Sequence, residues 1–575
     1  MKNTLSFSLL IGGLLLLASC SNKAPKEAAY IPKTASFVLT LDLNQLQQKL
    51  NEGGYTTDSL ITLFAGKDSA AEKIKKLLQD GRKESGINWN EKVFIFVNQK
   101  DFPDKSSSTS VNIMASTSNE NAVGKYLLQH DEFKNKKIQQ EKNYSYIQDE
   151  KEWQVSWNKD VCILTYYMHE TLPTYDTVKM YFEEPKPADL PKECKAEANQ
   201  FFTQSTSQSL ATVEVFNEMF REKADGFLFT SSNSSLPMLR KLPFNPPKLE
   251  ELLKNNYTTA TIHFEKGKVR IQSNNYTNPV LNNLLGKYAG PVVNFSLVNN
   301  YPSQQINLVA MASFNPEIIG GILKHLDLEG FANSYLEKNG LQMKDVYKAF
   351  KGELSVVVSD IQYSKPDPMK KRDELSMERG LPQGKFIVKI PVGDVTSYRK
   401  IMDMAVTAGL ILKTGTQYHS GGVAGASLYF LGNDQQIILA SDSAFYNQSL
   451  ANNGKNNPLF TKEPINKYTA SSILFYMDIA STIHGLIPDS TNSQYNKLLY
   501  QIGASCKEVV LSTGNFDGKT TASQAELLMQ NNNVNSLVSI VQLLAFVADE
   551  LNVNKENEQI TEWHGSNPFI KSAQE

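Results

Sequence analysis

The feature that most constrains this chain's fold is a strand that runs directly into a helix, met first at Ala35 to Leu50 (ASFVLTLDLNQLQQKL). Phe37, Leu39 and Leu41 share one face of an alternating strand, and Asp42-Leu43-Asn44 turns the chain into an amphipathic helix. Three later segments carry the same signature: Ala211 to Met219, Leu308 to Ile318 and Ile473 to Ile483. Each sets strand-forming residues before an apolar residue (Leu43, Phe216, Phe314, Ile479) and places Asn or a small residue where a helix would be capped.

Single junctions of this kind are ordinary, but here the intervening segments also correspond, in the same order. Val111 to Leu127 is similar to Phe386 to Met402, and the hairpin Tyr144 to Leu164 to the stretch Ser427 to Ala440. Glu265-Lys266-Gly267-Lys268 turns between strands, after which Asn278-Pro279 opens a helix. Downstream, Asp517-Gly518-Lys519 turns likewise and Asn535-Ser536 opens another. Asn278 and Asn535 are placed as N-caps, and Pro279 sits where its missing N–H costs nothing. The expectation is an α+β protein of two tandem related halves, residues 30–289 and 290–552. Each would hold an antiparallel or mixed sheet with helices packed on one face, and a polar tail, 553–575, would follow.

The last helix, Ser536 to Leu551, reads as a core helix with Leu537, Val541, Leu544 and Val547 turned inward, because Ser539, Gln542 and Asp549 interrupt any membrane span. Two insertions stand out: proline-rich Ser235 to Pro247, and charged Gln362 to Lys385. At 575 residues, more than one core is expected. Lys and Arg total 58 against 60 for Asp and Glu, a net charge of -2 that supplies no field for nucleic acid.

The first nineteen residues have a charged start at Lys2 and an apolar run from Leu9 to Leu17 too short to span a bilayer, so they read as an export signal. They end in Leu17-Ala18-Ser19-Cys20, which resembles the lipobox of bacterial lipoproteins. That resemblance implies cleavage before Cys20, a diacylglycerol on its thiol and acylation, with palmitate, of the new amino terminus. Such an anchor exceeds the two-signal requirement for stable membrane attachment. Ser21, standing where an inner-membrane retention Asp would be, implies the outer membrane. Residues 20–29 would form a polar tether, with the periplasmic face favoured over the surface.

Chemical motifs are sparse. The chain has no Gly-x-Ser-x-Gly elbow and no P-loop lysine, and Gly421-Gly422-Val423-Ala424-Gly425 reads as a hairpin turn between strands. No two of the histidines (His130, His169, His263, His325, His419, His484, His564) are spaced as a local ligand pair. Glu183-Glu184 and Glu250-Glu251 read as solvated faces. Beyond Cys20 only Cys162, Cys194 and Cys506 remain, enough for at most one disulfide. Asp58-Ser59, Asp68-Ser69, Asp176-Thr177, Asp442-Ser443 and Asp489-Ser490 match both an O-glycosylation acceptor and a helix N-cap. No catalytic, cofactor or metal residues are assigned.

The lipobox, the lead-in Ile31-Pro32-Lys33-Thr34-Ala35-Ser36-Phe37 and the duplicated layout together resemble an uncharacterised family of large Bacteroidetes envelope lipoproteins, a domain of unknown function. The resemblance implies a location and no activity. The expectation is therefore a lipid-anchored, non-enzymatic binding or scaffolding module with a protein or glycan ligand. The alternative is a glycan- or peptide-directed hydrolase whose site is assembled from distant residues.

Overall fold

The computed structural model describes residues 25–562, apart from 61–75, 77–78, 103–105, 130–132, 150–151, 171–173, 177–180, 184–188, 237–245, 247, 339, 364–381, 421–427, 452–461 and 488–493. The chain forms two compact units. The first is built from residues up to Asn44, Gly81–Lys241 and Tyr257–Thr261; the second from Gln45–Asp80, Leu242–Asn256 and Ile262 onward.

In the first unit the strands are β1 (Ala35–Asp42), β2 (Lys92–Asp101), β3 (Ser107–Ser116), β4 (Gln139–Gln140), β5 (Ser145–Gln148), β6 (Trp153–Trp157) and β7 (Val161–Glu170). A separate hairpin follows, β8 (Thr174–Asp176) with β9 (Tyr181–Glu183), and then β10 (Gly226–Ser231). Every pairing is antiparallel, and the sheet is open, in the order β4-β5-β6-β7-β3-β2-β1-β10.

The division between units falls within β11 (Tyr257–Glu265). The second unit holds β12 (Lys268–Tyr276), β13 (Ile306–Ser313), β14 (Glu353–Tyr363), β15 (Pro382–Pro391), β16 (Ile411–Thr414), β17 (Gln417–Ser420), β18 (Tyr429–Gly432), β19 (Gln436–Ala440), β20 (Ile473–Asp478), β21 (Cys506–Thr513) and β22 (Thr520–Met529). Its antiparallel order is β16-β17-β18-β19-β15-β14-β13-β20-β21-β22-β12. Read from β16 to β20, its connectivity has the same order as that of the first sheet read from β4 to β10.

The rungs agree as well. With Leu43 set against Phe314 and Val111 against Phe386, the row Thr40–Phe94–Met114–Ile163 in the first unit falls on Met311–Ser355–Lys389–Ile438 in the second. A slip of one residue in either ladder would turn every side chain to the other face, so the agreement is a strong constraint.

Helices α1 (Leu43–Glu52), α2 (Glu120–Leu128), α3 (Leu190–Thr203), α4 (Pro279–Lys287), α5 (Glu317–His325), α6 (Val395–Thr407), α7 (Ile479–Leu486) and α8 (Ser536–Glu562) carry most of the cover. Asn278 caps α4, its side chain accepting from Leu281 N at 2.9 Å with Pro279 in the first turn, and Asn535 Oδ1 accepts from Leu537 N at 3.0 Å at the start of α8.

Helices pack on both faces of each sheet, where one covered face was expected, although in the first unit the second face is covered only in part, with Ile113, Leu164, Tyr166 and Met168 exposed on it. On β7, Val161 and Ile163 pack with Phe201 and Phe202 of α3, whereas Cys162 between them packs with Val123 of α2. In the second unit Tyr476 joins one core and its neighbour Met477 packs with Ile479 and Ile483 of α7. Consecutive residues buried along a strand need partners on both sides, and such a strand loses the alternation that marks a one-sided sheet.

Two further expectations are corrected. Ala211 to Met219 contains no strand: Leu210–Thr212 and Met219–Arg221 are 3-10 turns around a short helix, Glu214–Glu218. Leu210, Phe216 and Met219 are buried at helical spacing, which overrode the apparent alternation of Val213 and Val215. In α8, Leu537, Val541 and Ala545 face the core at four-residue intervals, so Leu544 is turned out at 50% exposure. Among the described residues no helix is long and apolar enough to cross a membrane.

Candidate functional site

The strongest polar constellation lies beneath α3 in the first unit. Asp189 caps the helix, accepting from Lys192 N, and Cys194, Ala198, Phe201 and Phe202 anchor it to the sheet. The same inward face carries Glu193 and Glu197, one turn apart and so on one side.

Glu197 is only 3% exposed. Its Oε1 accepts from Asn98 Nδ2 at 2.6 Å and from Ser110 Oγ at 3.1 Å, and Lys100 binds its Oε2. Asn98 in turn accepts from Thr34 Oγ1 at 2.9 Å. Glu193 Oε2 accepts from Tyr167 OH at 3.0 Å and contacts His169 Nδ1 at 2.7 Å. Burial, chiefly, and the nearby carboxylates push the Tyr167 phenol well above its ordinary range. Glu197 is thus engaged at both oxygens and ties α3 to β2 and β3, while Glu193, partly exposed, is held at Oε2.

Above this seam opens a cleft of about 550 Å³, walled by Pro32 to Thr34, by the C-terminal half of α3 and by Ser207 and Gln208. Its polar lining is mostly neutral amide and hydroxyl (Thr34, Asn199, Gln200, Thr203, Gln204, Ser207, Gln208), with one cation, Lys33, and the apolar Pro32 and Ala196 among them. Gln200 Oε1 is taken by Lys100 Nζ at 2.7 Å, and Gln204 Nε2 donates to Ala29 O at 2.9 Å. Gln204 Oε1 is buried with no hydrogen-bond partner. The exposed Asn199 amide, also in the wall, is free to both donate and accept. Such a surface recognises ligands that offer many uncharged donors and acceptors.

Of the residues singled out from sequence, His169 and Cys194 lie at this seam and Pro32 to Thr34 in the cleft wall, and the others lie elsewhere. Cys20, His130, His564, Glu184, the Gly421 to Gly425 cluster, Ser69, Thr177 and Ser490 fall outside the described residues, as do most of both insertions. Glu251 pairs with His325 at 3.4 Å, and His484 stacks edge-on against Tyr500. Asp442 caps its helix, accepting from Phe445 N at 2.7 Å. Cys162, Cys194 and Cys506 are free and buried, and burial pushes the Cys162 thiol up to about 12, so it is inert as a nucleophile at neutral pH. Among the described residues no group of three or more His, Cys, Asp or Glu could hold a metal.

The cleft was not anticipated from sequence. One signal was present: Glu197 shares a helical face with Cys194, Ala198, Phe201 and Phe202, so its carboxylate had to be buried and paired.

A family model described as Domain of unknown function (DUF4836) matches residues 28–469. No curated protein matches the chain. Two solved structures, crystal forms IV and I of TP0453, align at 12% and 10% identity, covering 44% of this chain and 81% and 80% of theirs. Their TM-scores, 0.20 and 0.19, are too low for anything to be transferred.

Proposed function

The chain belongs to the DUF4836 family, a domain of unknown function, and from that premise we propose that it is a non-enzymatic binding protein of the bacterial envelope, with a neutral, hydroxyl-rich glycan as ligand. The observation that carries this reading is the cleft beside α3, whose polar wall is mostly neutral amide and hydroxyl, with Lys33 the one charged side chain in it. A sugar offers many uncharged hydroxyl donors and acceptors, which the exposed amides and hydroxyls of this wall can meet. Calorimetric titration with short neutral oligosaccharides tests it.

The anchor belongs to the same proposal. Leu17-Ala18-Ser19-Cys20 supports lipidation at Cys20 and attachment to the outer membrane of a Bacteroidetes cell, with the binding units on the periplasmic side. Residues 30–289 and 290–552 are read as two copies of one architecture. The strand order shared by β4–β10 and β16–β20, with its coincident rungs, supports that reading. The hydrolase alternative is the less favoured reading, because Glu197 is buried and held at both oxygens.

A further inference from the structure

Phe94 and Met114 face each other across β2 and β3 and are both fully buried. On the matching rung of the second unit, Ser355 faces Lys389 across β14 and β15. A large aromatic and a methionine in one core are thus replaced by a hydroxyl and an amine in the other. The flanking positions stay apolar: Ile163 beside Met114, and Ile438 beside Lys389, are 0% and 1% exposed.

The exchange leaves space. A cavity with about 10 Å³ of free volume, room for one water-sized group, is lined by Lys389, Ser355, Asn300, Val357, Ile387 and Leu297. Tyr301 fixes its roof, donating to Ser359 Oγ at 3.0 Å. Lys389 is partly buried and has no hydrogen-bond or ion-pair partner among the described residues, and no carboxylate lines the cavity. Burial alone acts on it and pulls its amine below the ordinary lysine range. Lys389 stands at the edge of this core, and an ammonium moved from water toward an apolar lining without a counter-charge is disfavoured, so an anion from outside the chain relieves the conflict.

We propose that the cavity beside Lys389 is a binding site for a small monovalent anion, a halide or the end of a carboxylate, held by the Lys389 ammonium with the Ser355 hydroxyl and the Asn300 amide as neighbouring donors. This site is independent of the cleft in the first unit, and either can fail without the other.

Thermal unfolding of the full chain tests the assignment, with sodium chloride or sodium formate exchanged against sodium gluconate at constant ionic strength. The wild type gains Tm saturably in chloride, in formate or in both. The arm that responds tells halide from carboxylate. Lys389→Met, which restores the pattern of the other unit, has a higher Tm than the wild type in gluconate and responds to neither anion. No saturable gain in the wild type, or an equal gain in Lys389→Met, overturns the site. Should Lys389→Met not fold, chlorine NMR linewidths on the wild type decide: broadening displaced by formate supports the site, and its absence overturns it.

Discussion

Asn98 and Glu197 meet at 2.6 Å, joining the middle of β2 to the inner face of α3 through a carboxylate that water does not reach. Glu197→Ala would strand Asn98 and Ser110 around an empty site. Lys100, about a third exposed, regains water, so the loss is that of the buried Asn98 and Ser110 donors left unsatisfied, roughly 1–3 kcal/mol. Denaturant unfolding should show a loss of that order for Glu197→Ala and a smaller one for Glu197→Gln, which keeps an acceptor. A loss below about 1 kcal/mol for the alanine variant would mean that α3 is not held by this seam.

Acid should unfold the second unit through Glu526. Burial pushes its carboxyl up, but Lys467 at 2.6 Å and Lys268 at 3.4 Å outweigh burial and hold it below the ordinary glutamate value. A carboxyl depressed on folding adds stability above its unfolded value, about 4.3, and that contribution is lost as pH falls from there through the folded value. Between pH 5 and 3, Tm should therefore fall more steeply in the wild type than in Glu526→Gln. Parallel slopes contradict the linkage.

Gly485 lies where α7 crosses β14, and a methyl group there would strike the carbonyl oxygen of Ile361. Since backbone is less able to retreat than a side chain, Gly485→Ala should destabilise by about 3 kcal/mol, the upper end of overpacking. Gly330, which has open space around its α-carbon, is the control, and Gly330→Ala should be neutral or mildly stabilising. Equal effects at the two glycines would rule out the close crossing.

The anchor is tested on intact cells. Cys20→Ala should abolish partitioning into a detergent phase, whereas the wild type partitions fully. Unchanged partitioning of the variant removes the lipid from the account.

Local geometry was legible in the sequence wherever one residue type answers one backbone need. Asn278-Pro279 announced the start of α4, and Gly267 and Gly518 occupy their turns at φ of +69° and +98°. The correspondence of Val111–Leu127 with Phe386–Met402 also gave β3–α2 and β15–α6. What stayed hidden depends on residues distant in the chain. The cleft joins Thr34 to Gln204 and Gln208, and the seam below it joins Asn98 to Glu197; neither leaves a local pattern. Two-sided burial was missed because Val161, Cys162 and Ile163 read simply as apolar, and Ala211 to Met219 because two β-branched residues imitated a strand.

The central claim, a glycan-binding cleft, is tested most directly by calorimetric titration of the full chain with a panel of short neutral oligosaccharides. The account predicts saturable binding by at least one of them, weakened about tenfold or more when Gln204 or Asn199 is changed to alanine and unaffected by Lys389→Met. No binding across the panel, or binding indifferent to Gln204 and Asn199, would contradict it.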